Sequence, residues 1–226
     1  MDMFAGDDID VMHADWSSLT EHGPFSLIFM DATSAKGWPR EKIVELLEEG
    51  ADVLISYLPQ EENDAADTRG WVEKAGRRAV TIPGDIQDEA HCTRLIDRAF
   101  DEFGKLDILV NNAAEQHESQ AFAEIGEEQV VGTFRTNIFG YMFMTQAALP
   151  HMLDRGRGSV VNVASVAHTR GKIELADPNL TENFDGYRAY AQSKLANVLF
   201  TQELARRLEG TSVVTSCLHP GVIQTK

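Results

Sequence analysis

The chain has few of the features that mark secreted, membrane or metal-binding proteins. Its two cysteines, Cys92 and Cys217, are far apart in sequence and indicate neither a disulfide framework nor a metal site. The seven histidines are scattered, without metal-ligand spacing. No apolar run approaches the ~20 residues that would cross a bilayer, and the first residues lack the basic region of a secretory signal. These absences predict a cytoplasmic protein without a metal centre.

Basic residues are scarce relative to acidic ones. The 226 residues include 20 Lys and Arg against 36 Asp and Glu, which gives a net charge of −16. Because nucleic acids are polyanions, this charge argues against nucleic-acid binding. The 43% hydrophobic content is typical of a globular protein, and the length is sufficient for one good core. We therefore predict that residues 1–226 form a single domain that binds no nucleic acid.

Short apolar runs alternate with amphipathic stretches along most of the chain. Predicted strands lie at 25–30, 53–57, 79–82, 106–110, 159–163 and 212–218. Predicted helices lie at 61–74, 89–103, 127–153 and 187–208. Continuous apolar strands between helices indicate a parallel sheet that is covered on both faces. The sequence therefore predicts an α/β fold of three αβα layers, a doubly wound Rossmann-like sheet whose ligands bind at the carboxyl ends of its strands.

Tyr190 and Lys194 form the pair on which a functional interpretation depends. Four residues apart on a helix, they lie on one face, one turn from each other. An ammonium group beside a phenol favours the phenolate, which makes the tyrosine a usable acid and base. Taken alone, however, the pair is more typical of the ordinary surface of an amphipathic helix.

Polar motifs at the ends of three predicted strands change this interpretation. Ser165 follows the strand at 159–163, Asn111 and Asn112 follow the strand at 106–110, and a Pro-Gly pair follows the last strand. Together with the Tyr-x-x-x-Lys spacing, this set resembles the short-chain dehydrogenase/reductase family. The resemblance runs from about residue 50 to residue 226 and is retinol-dehydrogenase-like toward the C-terminus. It implies hydride transfer between NAD or NADP and an alcohol or carbonyl substrate.

The resemblance implies a catalytic tetrad of Asn137, Ser165, Tyr190 and Lys194. Ser165 would hydrogen-bond the reacting oxygen, and Tyr190 would exchange the proton. Lys194 would stabilise the phenolate and bind the nicotinamide ribose. Asn137 would hold a water that connects the lysine to solvent.

The resemblance also implies a set of cofactor-binding residues along the strand ends. Tyr57 stands at the end of the second strand, where an aspartate would select NAD. Its presence disfavours strict NAD use and gives a weak preference for NADP. The implied cofactor-binding residues are Gly37, Asp85, Ile86, Asn112, Ala113, Pro220, Gly221 and Thr225.

The first 50 residues depart from the family's pattern. Of the glycine-rich phosphate loop only Gly37 remains, because Thr33 and Pro39 occupy the other two glycine positions. Residues 9–50 instead resemble a fragment of a class I S-adenosylmethionine methyltransferase, which indicates a possible chimera. The chain ends just after the sixth predicted strand, so we also expect a C-terminal truncation relative to the family.

Three interpretations follow from these motifs and departures. The first is an NAD(P)-dependent oxidoreductase. The second is a catalytically silent or engineered Rossmann-like chimera with impaired cofactor binding. The third, a methyltransferase, lacks the glycine-rich loop that would bind its own cofactor. Each of these interpretations is compatible with a homo-oligomer.

Overall fold

The computed structural model describes residues 26–30, 47, 50–115, 122–177, 180 and 185–219, with only the backbone at 27–30 and 122. Several positions singled out by the sequence lie outside these residues. They are the loop at 33–39 with Gly37, and Pro220, Gly221 and Thr225.

Six parallel strands form one sheet with the order β3-β2-β1-β4-β5-β6. The strand at 26–30 lies in its centre, hydrogen-bonded to the strands that begin at Asp52 and Ile108. This confirms the predicted doubly wound parallel fold. The strands are β1 Ser26–Met30, β2 Asp52–Tyr57, β3 Ala79–Pro83, β4 Ile108–Asn111, β5 Gly158–Val163 and β6 Val213–Leu218.

Helices connect the strands, and each predicted helix is present among the described residues with one important difference. The predicted helix at 127–153 is divided by a π-helical turn, Arg135–Gly140. Short 3₁₀ helices lie at Pro59–Glu61, Phe122–Glu124 and Val166–Arg170. The α-helices whose bounds lie within the described residues are α1 Glu62–Lys74, α2 Glu89–Phe103, α3 Glu127–Phe134, α4 Tyr141–Arg155 and α5 Gly186–Arg207.

The strands bury alternate side chains on the two faces of the sheet. On one face, Leu54, Leu109 and Val160 pack in a core formed with α2, α4 and α5. On the other face, Val53 and Val110 pack in a core with α1 and neighbouring apolar residues. With helices on both faces, ligands of such a sheet bind at the carboxyl ends of its strands.

Asp107 fixes the edge of the sheet opposite those carboxyl ends. Its fully buried carboxylate accepts the backbone N–H of Ser26 at 3.0 Å and lies 3.1–3.3 Å from nitrogen atoms of Lys105, Arg155 and Arg157. Burial alone would raise the pKa of Asp107, but the Ser26 hydrogen bond and the cations outweigh it and lower the pKa. This cluster ties β1 and β4 to the end of α4.

Candidate active site

A buried chain of amide and hydroxyl groups holds the ends of β4 and β5. Asn111 and Asn162 are register partners, and Nδ2 of Asn111 donates to Oδ1 of Asn162 at 2.9 Å. The same nitrogen lies 3.1 Å from the hydroxyl of Thr145 on α4. Nδ2 of Asn162 donates to the hydroxyl of Thr201 on α5, which in turn donates to the carbonyl of Asn197. The strand ends are therefore fixed relative to both helices.

The sequence patterns do not predict this chain of hydrogen bonds. Its signal is Asn162, a polar residue in the middle of an apolar run that becomes a fully buried strand. A buried amide requires hydrogen-bond partners. Pairing with Asn111 could have been inferred from the positions of the two asparagines at the ends of neighbouring strands.

Tyr190 and Lys194 lie near the start of α5, as the sequence predicts. Nζ of Lys194 lies over the face of the Tyr190 ring, 5.7 Å from its centroid. Lys194 is half-buried, and burial lowers its pKa. The helix therefore presents a partly desolvated cation beside a phenol.

Ser165 lies at the beginning of the 3₁₀ helix Val166–Arg170, directly beyond the end of β5. Its hydroxyl accepts the backbone N–H of Ala167 at 3.3 Å. Its carbonyl accepts Nδ1–H of buried His168 at 2.6 Å, which assigns the proton to that ring nitrogen. This short helix packs against α5, so Ser165 is held beside the helix that carries Tyr190 and Lys194.

Asn137 lies in the π-helical turn and contacts the loop that follows β4. Its amide oxygen accepts the N–H of Glu115 at 2.7 Å, and its amide nitrogen donates to the Glu115 carbonyl at 2.9 Å. The hydroxyl of Tyr141 donates to the Ala113 carbonyl of the same loop at 3.0 Å. The amide of Asn137 therefore anchors a loop, and its role in holding a water stays a prediction.

A cavity of about 250 Å³ lies at the carboxyl ends of β2, β3 and β4. Three predicted cofactor residues, Asp85, Ile86 and Ala113, line it. Asn112 is buried immediately before Ala113 in the chain. A concave site at this edge, with apolar walls and a few polar groups, fits the adenosine part of a dinucleotide.

Hydrogen bonds between the turn that follows β3 and the π-helical turn form one side of this cavity. The carboxylate of Asp85 accepts the N–H of Gln87 at 2.9 Å and so stabilises the turn after β3. The Gln87 amide donates to the hydroxyl of Thr136 at 3.0 Å, and that hydroxyl donates to the carboxylate of Glu115 at 3.1 Å. Asp85 and Ile86 are thereby connected to the same π-helical turn that contains Asn137.

Acidic residues line the end of the cavity near β2. The buried hydroxyl of Tyr57 donates to the carboxylate of Glu62. Burial, with a smaller effect of Glu62, raises the pKa of Tyr57 to about 12. Glu61 accepts the N–H of Leu58 at 3.1 Å and also lines the cavity. Among the described lining residues there is no Lys or Arg to pair with an added phosphate.

The described residues contain neither a metal-binding cluster nor a membrane-spanning helix. Within those ranges no group of three or more His, Cys, Asp or Glu is placed to hold a metal ion. None of the helices described is long and apolar enough to cross a membrane.

The strand order, with a cavity at the strand ends, defines an α/β protein of the Rossmann-like class. The family model for short chain dehydrogenases matches residues 33–226. The chain therefore belongs to the short-chain dehydrogenase/reductase family. The match begins at residue 33 and so includes the part of the chain that departs from the glycine pattern. The comparisons give no evidence for a methyltransferase part or a chimera.

Individual relatives agree with this assignment. The chain is 39% identical over 189 residues to the Bacillus subtilis oxidoreductase YhdF, covering 84% of this chain and 60% of that protein. It is 36% identical over 182 residues to NADPH-dependent aldehyde reductase 1, chloroplastic, of Arabidopsis thaliana, covering 78% and 58%. A short chain dehydrogenase from Burkholderia cenocepacia J2315, solved in complex with NADP, superposes with a TM-score of 0.69 at 28% identity, covering 87% and 73%. The chain thus spans about 60% of the length of these curated relatives.

Proposed function

We propose that this chain is an NAD(P)-dependent oxidoreductase that transfers hydride between nicotinamide and an alcohol or carbonyl substrate. The observation that carries the proposal is the Lys194 ammonium over the Tyr190 ring, on a helix packed against the short helix that begins after Ser165. The cavity at the ends of β2 to β4 supplies a place for the dinucleotide. When bound, the nicotinamide would supply the hydride.

The protein's own side chains would manage the proton at the reacting oxygen. In the direction of reduction, the Tyr190 hydroxyl donates its proton to the carbonyl oxygen, while the Ser165 hydroxyl donates a hydrogen bond to it. The phenolate that remains is stabilised by the Lys194 ammonium. A positioned acid of this kind contributes ~10²–10⁴-fold to the rate.

Both dinucleotides would bind, with NADP weakly favoured. Tyr57 replaces the aspartate that would select NAD, and two of the relatives have NADPH or NADP in their names. The preference would be small because Glu61, Asp85 and Glu115 line the cavity with negative charge.

Turnover of carbonyl substrates tests the proposal directly. The purified chain should oxidise NADPH or NADH, followed by nicotinamide absorbance, in the presence of a panel of aldehydes and ketones. Tyr190→Phe should abolish this activity, because phenylalanine cannot exchange a proton. Equal activity in the wild-type chain and Tyr190→Phe would show that the Tyr-Lys pair is only structural.

A catalytically silent scaffold is the second candidate, favoured by the replacement of two glycines in the phosphate loop. A ligand that binds the native state raises the melting temperature. If the chain is an active enzyme, NADPH or NADH should raise its melting temperature. The melting temperature of a silent scaffold should not change with either dinucleotide.

Assembly, domain organisation and location stay predictions. The single sheet formed by the described residues supports one Rossmann-like domain. Fractionation of cells that express the chain would test the predicted cytoplasmic location.

A homo-oligomer is supported by exposed apolar side chains on α3, the π-helical turn and α4. Light scattering coupled to size exclusion would measure the oligomeric state. These side chains, each 42–50% exposed, are Val130, Val131, Phe134, Phe139, Met142 and Leu153.

A further inference from the structure

We propose that Gly171 is a positioning residue that sets the separation between the Ser165 and Tyr190 hydroxyl groups. This inference rests on the proposed function and adds to it a residue outside the predicted tetrad. Gly171 directly follows the 3₁₀ helix Val166–Arg170 and touches α5 beside Tyr190 and Lys194.

The short helix is tied at both of its ends. At its beginning, the Ser165 hydroxyl accepts the Ala167 N–H, and the Ser165 carbonyl accepts Nδ1–H of His168. At its end, the N–H of Gly171 donates to the carbonyl of His168 at 2.9 Å. Because His168 is bonded toward both ends, a displacement of Gly171 is transmitted toward Ser165.

Space, and not backbone conformation, requires glycine at this position. Gly171 has a φ of −72° and a ψ of 150°, which any residue adopts. A Cβ atom there would lie 2.4 Å from the carbonyl oxygen of Ala191 and 2.9 Å from Cβ of Leu195. Both distances are far shorter than a normal van der Waals contact.

The two contacted residues are the chain neighbours of the predicted catalytic pair. Ala191 follows Tyr190 directly, and Leu195 follows Lys194 directly. The closest contact is a backbone carbonyl of α5, which cannot rotate away as a side-chain end would. Farther along α5, the Thr201 hydroxyl connects the helix to Asn162 of β5.

A side chain at position 171 must therefore move the short helix away from α5 or tilt the first turns of α5. Either movement changes the separation between the Ser165 and Tyr190 hydroxyl groups, which must reach the same substrate oxygen. A misplacement of ~1 Å in such a site can cost ~10²-fold in rate. The described residues that line the cavity at β2 to β4 belong to neither element. The adenosine part of the dinucleotide should therefore keep its contacts, whereas the ribose contact predicted for Lys194 moves with α5 when that helix tilts.

Kinetics of Gly171→Ala provide the first test. We expect kcat to fall ~10- to 100-fold and KM for the nicotinamide dinucleotide to change by a smaller factor. The matched control is Gly70→Ala in α1, where a Cβ would meet nothing within 4 Å; its kcat should be unchanged. An unchanged kcat in Gly171→Ala would overturn the inference.

A double-mutant cycle separates positioning from a general loss of stability. If Gly171 acts through Ser165, adding Gly171→Ala to Ser165→Ala should lower kcat by less than about twofold, because the interaction is already lost. A further loss equal to that in the wild-type background would contradict the inference.

Crystal structures of the wild-type chain and Gly171→Ala give a readout that does not require turnover. The distance between Oγ of Ser165 and the Tyr190 hydroxyl oxygen should increase by a few tenths of an ångström or more in the variant. An unchanged distance would overturn the positioning role. An inactive wild-type chain that nonetheless shows the displacement would count against the proposed function and not against the role of Gly171 in this geometry.

Discussion

The side-chain amide of Asn137 makes two hydrogen bonds to the backbone of one residue, Glu115, at 2.7 and 2.9 Å. An amide that both accepts from and donates to the same residue imitates the pairing of two strands. Asn137 stands in a π-helical turn, and Glu115 ends the described part of the loop after β4. This contact connects a predicted catalytic residue to the wall of the cavity at the ends of β2 to β4.

Replacing Asn137 should therefore weaken cofactor binding as well as catalysis. Asn137→Ala removes both hydrogen bonds and leaves partly buried backbone groups of Glu115 without these partners, at a cost of about 1–3 kcal/mol in the free energy of unfolding. The loosened loop includes Ala113 and Glu115, which line the cavity. Isothermal titration with NADPH should show a lower affinity, whereas Gln146→Ala, an exposed position on α4, should bind as the wild type does. Unaltered affinity in Asn137→Ala would limit Asn137 to the chemical step.

Lys194 should favour activity at the expense of stability. Burial lowers its pKa, so at neutral pH the charged lysine is disfavoured in the folded state relative to the unfolded chain. Lys194→Met should consequently raise the melting temperature while removing nearly all reductase activity. Because the cost exists only while the lysine is charged, the difference in stability should shrink as pH rises through the folded pKa toward the unfolded value of about 10.4. Urea unfolding at several pH values measures the difference in the free energy of unfolding between Lys194→Met and the wild type. If this difference does not vary with pH, it does not come from burial of the lysine charge.

Asp107 should make the fold sensitive to acid. Its folded pKa is lowered, with hydrogen bonds and cations outweighing the effect of burial. The stability it contributes is therefore fully present above the unfolded pKa of about 3.9 and is lost as pH falls through the folded pKa. Asp107→Asn should cost about 1.5–3 kcal/mol at neutral pH, typical of hydrogen bonds to a charged group, and should flatten the acid limb of the stability curve. Asp154→Asn, at an exposed position on α4, is the control. If stability falls as steeply at low pH in Asp107→Asn as in the wild type, the acid sensitivity comes from other carboxylates.

Glu61 should oppose NADPH more than NADH. It lines the cavity near the end of β2, where the ribose 2′ position of a dinucleotide is recognised in this fold. Glu61→Lys exchanges a repulsion for an attraction toward a 2′-phosphate, so kcat/KM for NADPH relative to NADH should rise about tenfold or more. Glu61→Gln keeps the size and the acceptor for the Leu58 N–H and should give an intermediate ratio. Equal ratios in all three proteins would place the 2′-phosphate elsewhere.

The fold could be predicted wherever local signals mark the boundaries of an element. The helix at 89–103 has the predicted bounds because Asp88 caps its first turn and Gly104 ends it in the left-handed region with a φ of 70°. The π-helical turn within 127–153 could not be predicted. It corresponds to one extra residue in an α-helix, and a single extra residue hardly changes the spacing of the apolar side chains. The contact between this turn and Glu115 depends on the position of the loop that follows β4, which is set by the tertiary structure.

The positions of the candidate site residues could be predicted to a similar degree, whereas their catalytic roles rest on the family resemblance and stay predictions. Helical spacing places Tyr190 and Lys194 on one face of a helix, and Ser165 follows a strand. The hydrogen bonds from Asn162 require knowledge of strand pairing, and the close approach of Gly171 to Ala191 requires knowledge of helix packing. Both are tertiary contacts that neither propensity nor periodicity contains.

The phosphate loop gives a prediction that rests on the sequence alone. Thr33 and Pro39 stand where the family uses glycine, because the backbone there must approach phosphate without a Cβ in the way. Each blocked approach could cost about 1–3 kcal/mol, the cost of an unpaired hydrogen-bonding group, and two would weaken binding by one to several powers of ten. The wild-type chain should therefore bind NAD(P)H weakly. The triple variant Thr33→Gly, Trp38→Ile, Pro39→Gly should bind it about tenfold or more tightly, measured by quenching of protein fluorescence. Trp38→Ile alone is the control for the lost fluorophore, and tight binding by the wild-type chain, or no gain in the triple variant, would show that the glycine positions do not limit binding.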